Sequence, residues 1–539
     1  MNKYNIKIFL PLLLTLSVVV GIYLGSYLSS TTGNKSIIFS KSKSKSSTGK
    51  LNEILNFIEE AYVDSVDSKE LLENSINSML SNLDPHSYYI SPKDFNDMND
   101  PIEGSFEGIG VEFRIKDDTV MVVAAIANGP SEKLGIQAGD RIIKVDTLNI
   151  AGKNITNNDV IKLLKGPRGT KVNVFIKRRG TKKLLKFAIV RDEIPIYSVD
   201  APYMIDDNIG YVKISRFAKT TYAEFLQAVA ELKENDMENL IIDLRNNGGG
   251  VLSSAISIVD EMLDKNQMIV YTKGRARKKT EYYSTSKGIL KGVKIAILIN
   301  ENSASASEIL AGAIQDNDRG IILGRRSFGK GLVQEQIPWP DGSAIRLTVA
   351  RYYTPSGRSI QKPYENGLDD YNLEAYKRYE KGELLEADSI HFPDSLKYFT
   401  KKGKVVYGGG GIMPDIFIPL DTIGGTDYLY QLRYNGIIQE FSLNYIDNRR
   451  KQMLETYHDA VQFKRQFKVS NQLFNDLIKF ATDSGIERNL EQIKKSKTLI
   501  EQGLKADMSR HLYGNFGFYV IVNENDKTIS RAIEEIKEQ

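Results

Sequence analysis

Residues 295–310 read Ile-Ala-Ile-Leu-Ile-Asn-Glu-Asn-Ser-Ala-Ser-Ala-Ser-Glu-Ile-Leu. The apolar run at the start predicts a buried strand, and the apolar positions after Glu308 predict an amphipathic helix. Ser305 falls at the junction, where the free N–H groups of a helix N-terminus can stabilise a developing oxyanion. The same pattern fits a capping box, in which Glu308 bonds back to the cap residue. Taken alone, these residues favour the cap.

A second segment places a lysine between two glycines: Ser327-Phe328-Gly329-Lys330-Gly331-Leu332-Val333-Gln334. A neutral lysine can activate a serine in place of histidine, and the chain has only 4 histidines in 539 residues. To act as a base near pH 7, Lys330 needs a pKa lowered by roughly 3 units through burial. Gln334 is uncharged, so it would orient the amine without favouring the ammonium form. A solvated lysine on a turn is the alternative.

An α/β core is predicted from about Tyr203 to Pro355, where apolar strands alternate with amphipathic helices. The strands are expected at 209–214, 240–244, 268–272, 295–300 and 321–324, and the helices at 222–235, 252–263 and 306–315. Residues 243–250, Asp-Leu-Arg-Asn-Asn-Gly-Gly-Gly, follow the second strand. The backbone N–H groups of Gly249 and Gly250 offer a second oxyanion donor, and a tight strand–helix turn is an equal alternative.

Ahead of this core, short strands and glycine turns between Gly104 and Arg191 predict a compact β domain. It opens with Gly108-Ile109-Gly110-Val111, a turn whose N–H groups can bind a terminal carboxylate while the strand edge pairs with a peptide. Residues 51–100 have helical periodicity and include the turn Leu83-Asp84-Pro85-His86-Ser87. His86 is interpreted as a structural residue of that turn.

Composition narrows the class of protein. A hydrophobic fraction of 41% and a charged fraction of 26% are those of a globular protein. The absence of cysteine excludes disulfides and thiolate metal sites. Residues 1–50 carry seven lysines and no acid, so the remainder is close to neutral and nucleic-acid binding is not expected.

The N-terminus predicts export. Residues 8–28 carry no charge and are long enough to span roughly 30 Å of hydrocarbon. Lys3 and Lys7 before them favour a cytoplasmic N-terminus. We therefore expect residues 1–28 to be a signal anchor in the inner membrane or a signal peptide, and residues 29–50 a flexible tether. The catalytic part would lie on the periplasmic side of the cell envelope, with a cleaved, secreted form as the alternative.

In this order, these segments resemble the carboxyl-terminal processing peptidases, tail-specific serine proteases with a Ser-Lys dyad. Four segments that carry the likeness are the turns at 83–87 and Asp243–Gly250, the nucleophile segment Ser303–Glu308 and the base segment Ser327–Gln334. The second turn departs from the family pattern at Gly248, where the family usually has proline. The stretch from Ser131 to Asp140 is similar to part of a PDZ domain, and residues 346–361 resemble the strand and loop that follow the base segment. The likeness covers about residues 51–420.

The resemblance implies an α/β and α+β multidomain fold with a crotonase/ClpP-like ββα core and a PDZ domain as a flexible lid. The expected domains are a helical segment at 51–100, the PDZ domain at 104–192, the core at 200–363 and 405–420, an insertion at 364–404 and a helical extension at 425–539. Residues 356–404 have a polar composition that predicts a surface excursion.

For function, the resemblance implies an endopeptidase that binds apolar C-terminal tails of exported proteins and cleaves nearby. Ser305 would be the nucleophile, Lys330 the base and Gln334 its orienting residue, with Ala306 and Gly249 or Gly250 as the oxyanion hole. No cofactor or metal is expected, and self-association into a homo-oligomer is left open. The alternatives are an inactive PDZ scaffold and a carrier of hydrophobic ligands on the same fold.

Overall fold

The computed structural model describes residues 15, 17–21 and 47–538. The anchor or signal peptide predicted at 1–28 and the tether at 29–50 therefore lie largely outside the described residues, and both stay predictions. Across the residues that are described, no helix combines the length and the apolar character needed to cross a membrane. The chain divides into two units between Ser75 and Ile76.

The N-terminal segment is helical in most of its length. It contains α1 (Ser47–Ala61), α2 (Ser68–Ser81), strand β1 (Tyr88–Ile90) and α3 (Phe95–Glu103). The periodicity over 51–100 thus predicted the helices but not the strand between them. The turn before β1 contains a proline, whose ring and missing N–H do not allow a helix to continue.

The small β domain follows. Its strands are β2 (Ser105–Gly108), β3 (Val111–Lys116), β4 (Thr119–Ala125), β5 (Arg141–Val145), β6 (Leu148–Asn149), β7 (Lys171–Lys177), β8 (Leu185–Val190) and β9 (Asp192–Pro195). Its helices are α4 (Pro130–Lys133) and α5 (Asn157–Leu164). The larger sheet has the order β3-β4-β5-β7-β8, with β6 beside β5, while β2 pairs with β9. Strand β7 alternates buried and more exposed side chains, because only one face of the sheet meets the core.

The strands of the peptidase region form two larger sheets and one small pair. They are β10 (Val199–Asp206), β11 (Ile209–Ile214), β12 (Asn239–Asp243), β13 (Met268–Lys273), β14 (Thr280–Tyr283), β15 (Lys294–Ile299), β16 (Ile321–Gly324), β17 (Leu332–Pro338), β18 (Ala344–Tyr353), β19 (Lys397–Phe399), β20 (Val405–Tyr407) and β21 (Ile416–Phe417). The helices among them are α6 (Thr221–Glu234), α7 (Leu252–Asp260), α8 (Ala306–Asp316), α9 (Leu368–Asn372) and α10 (Glu374–Glu380).

The central sheet has the order β10-β11-β12-β15-β16-β21. Strand β10 is antiparallel to β11, and the remaining neighbours are parallel. Helices α6, α7 and α8 cover one face, where they form a core with alternate residues of the strands. Because the opposite face is covered too, β11 and β12 are buried along their whole length, including the charged residues Lys213 and Asp243.

A second, antiparallel sheet has the order β1-β18-β13-β14, with β17 also paired to β18. The strand predicted at 268–272 therefore exists, but β13 belongs to this sheet and not to the parallel one. A run of apolar residues shows that a strand is buried without showing which neighbour it pairs with, so the sequence could not decide between the two sheets.

The insertion at 364–404 is largely exposed, in agreement with the surface excursion predicted for 356–404, but a few buried residues anchor it. Tyr371, Arg378 and Leu384 are buried within it. The guanidinium of Arg378 is neutralised by Glu374, with Nε to Oε1 at 2.5 Å, and it donates to backbone carbonyl groups of residues 326–328. A charged residue can be buried when all its donors find partners, which composition alone does not reveal.

The C-terminal region forms two different parts. Its helices are α11 (Asp427–Tyr434), α12 (Ile437–Asp447), α13 (Arg450–Thr456), α14 (Ala460–Gln466), α15 (Asn471–Asp483), α16 (Leu490–Val522) and α17 (Lys527–Glu538). Helices α11 to α16 enclose a core of their own. The last helix, α17, instead packs on the second face of the central sheet through Ile529, Ala532 and Ile536. The extension at 425–539 is therefore partly an element of the peptidase core.

Candidate active site

Ser305 occupies a strained corner between β15 and α8. Its φ and ψ are 56° and −113°, a region that side chains other than glycine rarely adopt and that commonly marks functional sites. The neighbouring serines hold the corner in place. Ser303 Oγ donates to the carbonyl of Leu244 at 2.9 Å, and Ser307 Oγ donates to that of Asn247 at 2.9 Å. Both of these are buried, while Ser305 lines an open cleft.

Glu308 connects the serine segment to the lysine segment. Its carboxylate accepts the N–H of Ser305 at 2.7 Å, as the capping-box interpretation predicts. The same carboxylate accepts the N–H groups of Gly329 at 2.7 Å and Lys330 at 2.9 Å, together with the hydroxyl of Ser327 at 2.5 Å. Burial raises the pKa of Glu308 to about 7. The cap thus also fixes the position of the lysine backbone.

Lys330 lies in a loop that packs closely on its surroundings. A Cβ at Gly329, whose φ is 91°, would lie 3.1 Å from the N of Gly411, so a side chain there would be strained and crowded. Burial, and after it the nearby guanidinium of Arg346, lowers the pKa of Lys330 to about 8. The hydroxyl of Tyr352 lies 3.1 Å from the carbonyl oxygen of Ser305 and 2.7 Å from that of Lys330. It bridges the two segments on a second side.

Ser305, Lys330 and Gln334 line one cleft of about 370 Å³. Gln334 lies on β17, and its Nε2 donates to Thr348 Oγ1 on β18 at 3.3 Å. Ala306 lines the same cleft at the first position of α8. The three residues assigned from sequence to the catalytic group thus meet in one place, although they lie on different elements.

The glycine turn approaches the serine corner closely. A Cβ on Gly249 would lie 2.7 Å from the carbonyl oxygen of Ala304 and 2.7 Å from the Cβ of Ser305, so only glycine fits. The N–H of Gly249 is donated to Asn247 Oδ1 at 2.9 Å. Gly250, in contrast, lines the cleft. Of the two glycines that sequence could not separate, Gly250 therefore faces the space next to Ser305.

An ionic network around the buried carboxylate of Asp243 stabilises this turn. Arg245 bonds to Asp243 with Nη2 to Oδ2 at 2.7 Å, and to Asp526, ahead of α17, with Nη1 to Oδ2 at 2.7 Å. Asp243 also accepts the hydroxyl of Tyr211 at 2.9 Å. The sequence singled out the Asp-Leu-Arg turn but not Asp526, because no local pattern relates residues almost 300 positions apart.

A second depression, of about 270 Å³, lies on the small β domain. Ile109, Gly110 and Val111 of the predicted peptide-binding turn line it, whereas Gly108 is buried in β2 opposite Asp192. The remaining walls come from β2, β3, α5 and the residue after it, α3 and the segment after β9, namely Phe106, Phe113, Ile161, Leu164, Lys165, Asp97, Asp100, Pro101 and Ile196. We call this depression the tail groove. Its walls are largely apolar and suit an apolar peptide, while its one lysine, Lys165, is paired with the lining carboxylates of Asp97 and Asp100.

Helix α3 contributes to both depressions. Asp97 and Asp100 bond to Lys165 Nζ at 3.0 and 2.8 Å on the side of the tail groove. Asn99, Ile102 and Glu103 line the active-site cleft. Because residues three and four apart share a face of a helix, one short helix forms a wall of each depression.

Comparison with known proteins places these features in families. Models match for peptidase family S41 at residues 208–369, a PDZ domain at 121–178, the N-terminal domain of the activating protease CtpB at 18–93 and a family of unknown function at 428–514. The S41 match contains Ser305, Lys330 and Gln334, and the PDZ match contains α5 of the tail groove.

Among curated relatives, the carboxy-terminal-processing protease of Bartonella bacilliformis is 38% identical over 353 residues, which are 64% of this chain and 79% of the relative. The carboxy-terminal processing protease CtpA of Bacillus subtilis is 33% identical over 399 residues, 72% of this chain and 81% of the relative. Among solved structures, a photosystem II D1 C-terminal processing protease is 30% identical, with a TM-score of 0.33, and the match covers 58% of this chain and 84% of that one.

Proposed function

Because the chain belongs to the carboxy-terminal processing proteases, serine proteases with an S41 peptidase domain and a PDZ domain, we propose that it cleaves proteins near their apolar C-terminal tails with a Ser-Lys dyad. The observation that carries this proposal is the cleft shared by Ser305, at a strained corner, and Lys330, whose pKa is lowered to about 8. Gln334 completes the proposed catalytic group.

In the proposed reaction, the neutral amine of Lys330 takes the proton of Ser305 Oγ as the oxygen attacks the scissile carbonyl carbon. The carbonyl oxygen becomes an oxyanion, which the N–H groups of Ala306 and Gly250 would stabilise. When the C–N bond breaks, the lysinium returns the proton to the leaving amine. Water then attacks the acyl-enzyme through the same groups and releases Ser305.

The proposed fold of the core is the crotonase/ClpP-like one. The alternation of β11, β12, β15 and β16 with α6, α7 and α8, and a second sheet whose residues Ile269, Val270 and Tyr352 share the core of these helices, support it. The proposed location is the periplasmic side of the inner membrane, which rests on the charge-free stretch at residues 8–28 and the lysines before it. Recovery of the full-length chain in the soluble fraction of lysed cells, with its N-terminus intact, would contradict the anchor.

The experiment that tests the function is a cleavage assay on the purified protein. The substrate is a peptide with an apolar C-terminal tail and a free carboxylate, and the same peptide with an amidated C-terminus is its control. We expect cleavage of the free acid and much slower cleavage of the amide, because the amide lacks the terminal charge that the tail groove would bind. Equal rates for the two would contradict tail recognition.

The pH dependence tests the base. With a pKa of about 8, roughly one Lys330 in ten is neutral at pH 7, compared with fewer than one in 1000 for a free lysine. Only the neutral amine accepts the proton, so kcat/KM should rise with pH, reach half its maximum near pH 8 and fall as pH drops below it. Glu308, with a pKa of about 7, adds a further loss at lower pH. A rate that keeps rising above pH 10 would contradict a buried base.

The tail groove can be tested by one charged substitution. Ile161→Asp places a carboxylate in the apolar groove, so we expect the Kd of a tail peptide, measured by fluorescence anisotropy, to rise at least about tenfold. Lys162→Gln is the matched control, because the neighbouring residue on α5 is exposed, lies outside the groove and changes the net charge by the same amount. An unchanged Kd for Ile161→Asp would exclude this groove as the binding site.

A further inference from the structure

The mechanism above gives no role to the turn at residues 83–87, yet the turn lies against the sheet that carries Gln334. Asp84 and Ser87 are buried, and β1, which follows the turn, pairs with β18. Asp84 Oδ2 accepts the hydroxyl of Ser87 at 2.6 Å, and Oδ1 accepts the N–H of His86 at 2.8 Å. The carboxylate is therefore held in place on its own segment.

Asp84 also bonds to the opposite sheet. Its Oδ1 accepts the hydroxyl of Thr348 at 3.0 Å, and the backbone N–H of Thr348 donates to Ser87 Oγ at 3.0 Å. Thr348 Oγ1 is in turn 3.3 Å from Gln334 Nε2. Asp84, Thr348 and Gln334 thus form a continuous chain of hydrogen bonds that ends in the active-site cleft.

The chemistry of these groups fixes the direction of each bond. An ionised carboxylate only accepts hydrogen bonds, and a threonine hydroxyl has one proton to give. Because the Thr348 hydroxyl donates its one hydrogen bond to Asp84, its oxygen can only accept a hydrogen bond from Gln334. The amide of Gln334 must therefore turn its NH₂ group to Thr348, which leaves its Oε1 as the group available to the cleft that Lys330 shares.

We propose that Asp84 is a positioning residue for the reaction. It acts through Thr348 to hold the Gln334 amide with its oxygen toward the Lys330 amine, a role that rests on the proposed Ser-Lys mechanism. An amide oxygen accepts an N–H of the neutral amine and leaves the nitrogen lone pair free for the proton of Ser305. A flipped amide would direct its NH₂ group at that lone pair and compete with the proton transfer. The orientation of one amide thus decides whether the base is usable.

Two substitutions break the chain at different points. Thr348→Val removes the hydroxyl with little change of shape, and Asp84→Asn provides an NH₂ group that can donate to Thr348 and reverse the direction of the bonds. We expect each to lower kcat roughly 10- to 100-fold, with little change in KM or in the Kd of a tail peptide. Thr348→Ser, which restores the hydroxyl, should recover most of the rate.

The decisive measurement is a double-mutant cycle on kcat. If Asp84 acts through Thr348, adding Asp84→Asn to Thr348→Val costs no further rate, whereas independent contributions would multiply. Asp94→Asn is the matched control, because the carboxylate of Asp94, like that of Asp84, accepts a serine hydroxyl within a turn, here that of Ser91 at 2.7 Å. We expect the kcat of this variant to be unchanged. The thermal unfolding midpoint of each variant shows whether a lower rate results only from a smaller fraction of folded protein.

The pH profile gives a second readout. The charged or titratable groups that face Lys330 are Arg346 on β18, Glu308 on α8, and Asp84 and His86 in the turn. Thr348→Val removes none of these charges, so we expect its kcat to fall at the plateau above pH 9, not merely to shift along the pH axis. A purely structural loosening that exposed Lys330 would instead move the midpoint upward, towards that of a free lysine.

The outcomes separate the two proposals. Full cleavage by Ser305→Ala or Lys330→Ala overturns the proposed mechanism and the positioning role with it. If both of those variants are inactive but Thr348→Val has the kcat of the unmodified protein, or the two substitutions multiply, the positioning role alone is overturned.

Discussion

Ser305→Ala is expected to lower kcat/KM for a tail peptide by at least about 1000-fold. The hydroxyl of Ser305 is the nucleophile of the proposed reaction, and its removal leaves only the binding and oxyanion contributions. The corner itself should persist, because the backbone N–H of Ser305 is held by Glu308 at 2.7 Å and that bond does not involve the hydroxyl. The Kd of the tail peptide should therefore be unchanged.

The matched control is another serine of the same run. Ser307→Ala removes a buried hydroxyl that donates to the carbonyl of Asn247, but that carbonyl also accepts the N–H of Ala304 at 2.9 Å. We expect a loss of about 1 kcal/mol in the free energy of unfolding and less than a tenfold change in kcat/KM. Cleavage by Ser305→Ala at the unmodified rate would assign the nucleophile elsewhere.

Ile529→Asp is expected to remove most of the folded protein. The side chain is 1% exposed and packs with Ala532 and Ile536 against the central sheet, so a carboxylate there would be buried without a partner. The milder Ile529→Ala should lower the free energy of unfolding by about 2–5 kcal/mol. Denaturant unfolding followed by circular dichroism measures both.

An exposed position on the same helix provides the control. Glu534→Ala removes only a surface ion pair with Arg531, at 3.4 Å, and should change the free energy of unfolding by less than about 1 kcal/mol. If Ile529→Asp remained as stable as Glu534→Ala, α17 would not be part of the core.

Local sequence patterns predicted those parts of the candidate site that are formed within a single short segment. The strand–serine–helix run predicted the corner at Ser305, and the glycine-flanked lysine predicted the loop at Lys330. Each signal lies within about eight residues of sequence. That Ser305 and Lys330 share one cleft was implied by the family resemblance, because the local sequence of neither segment determines how far apart the two lie in the fold.

Contacts between distant segments could not be predicted. Arg378 donates to the carbonyl of Ser327 at 2.7 Å, and Thr348 bonds to Asp84 at 3.0 Å, but no local pattern in the sequence relates either residue to its partner. Composition therefore could not reveal the buried contacts that anchor the insertion, and the local turn signal at 83–87 could not reveal its bonds to β18. What fixes both is hydrogen bonding between elements, which depends on how sheets and loops pack.

The position of α3 has a thermodynamic consequence. The helix is 9 residues long and forms part of the wall of both the tail groove and the active-site cleft. If a ligand bound in one of them changes how α3 packs, it also changes the free energy of ligand binding in the other. Such coupling is reciprocal: the factor by which a bound tail changes the affinity of the cleft equals the factor by which an occupied cleft changes the affinity for the tail. Because Asp97 and Asp100 already neutralise Lys165, an incoming terminal carboxylate must compete with them. In the proposed function, a tail that displaced these carboxylates would change the environment of a helix that also lines the cleft of Ser305, and would thereby couple recognition of the substrate's end to the active site.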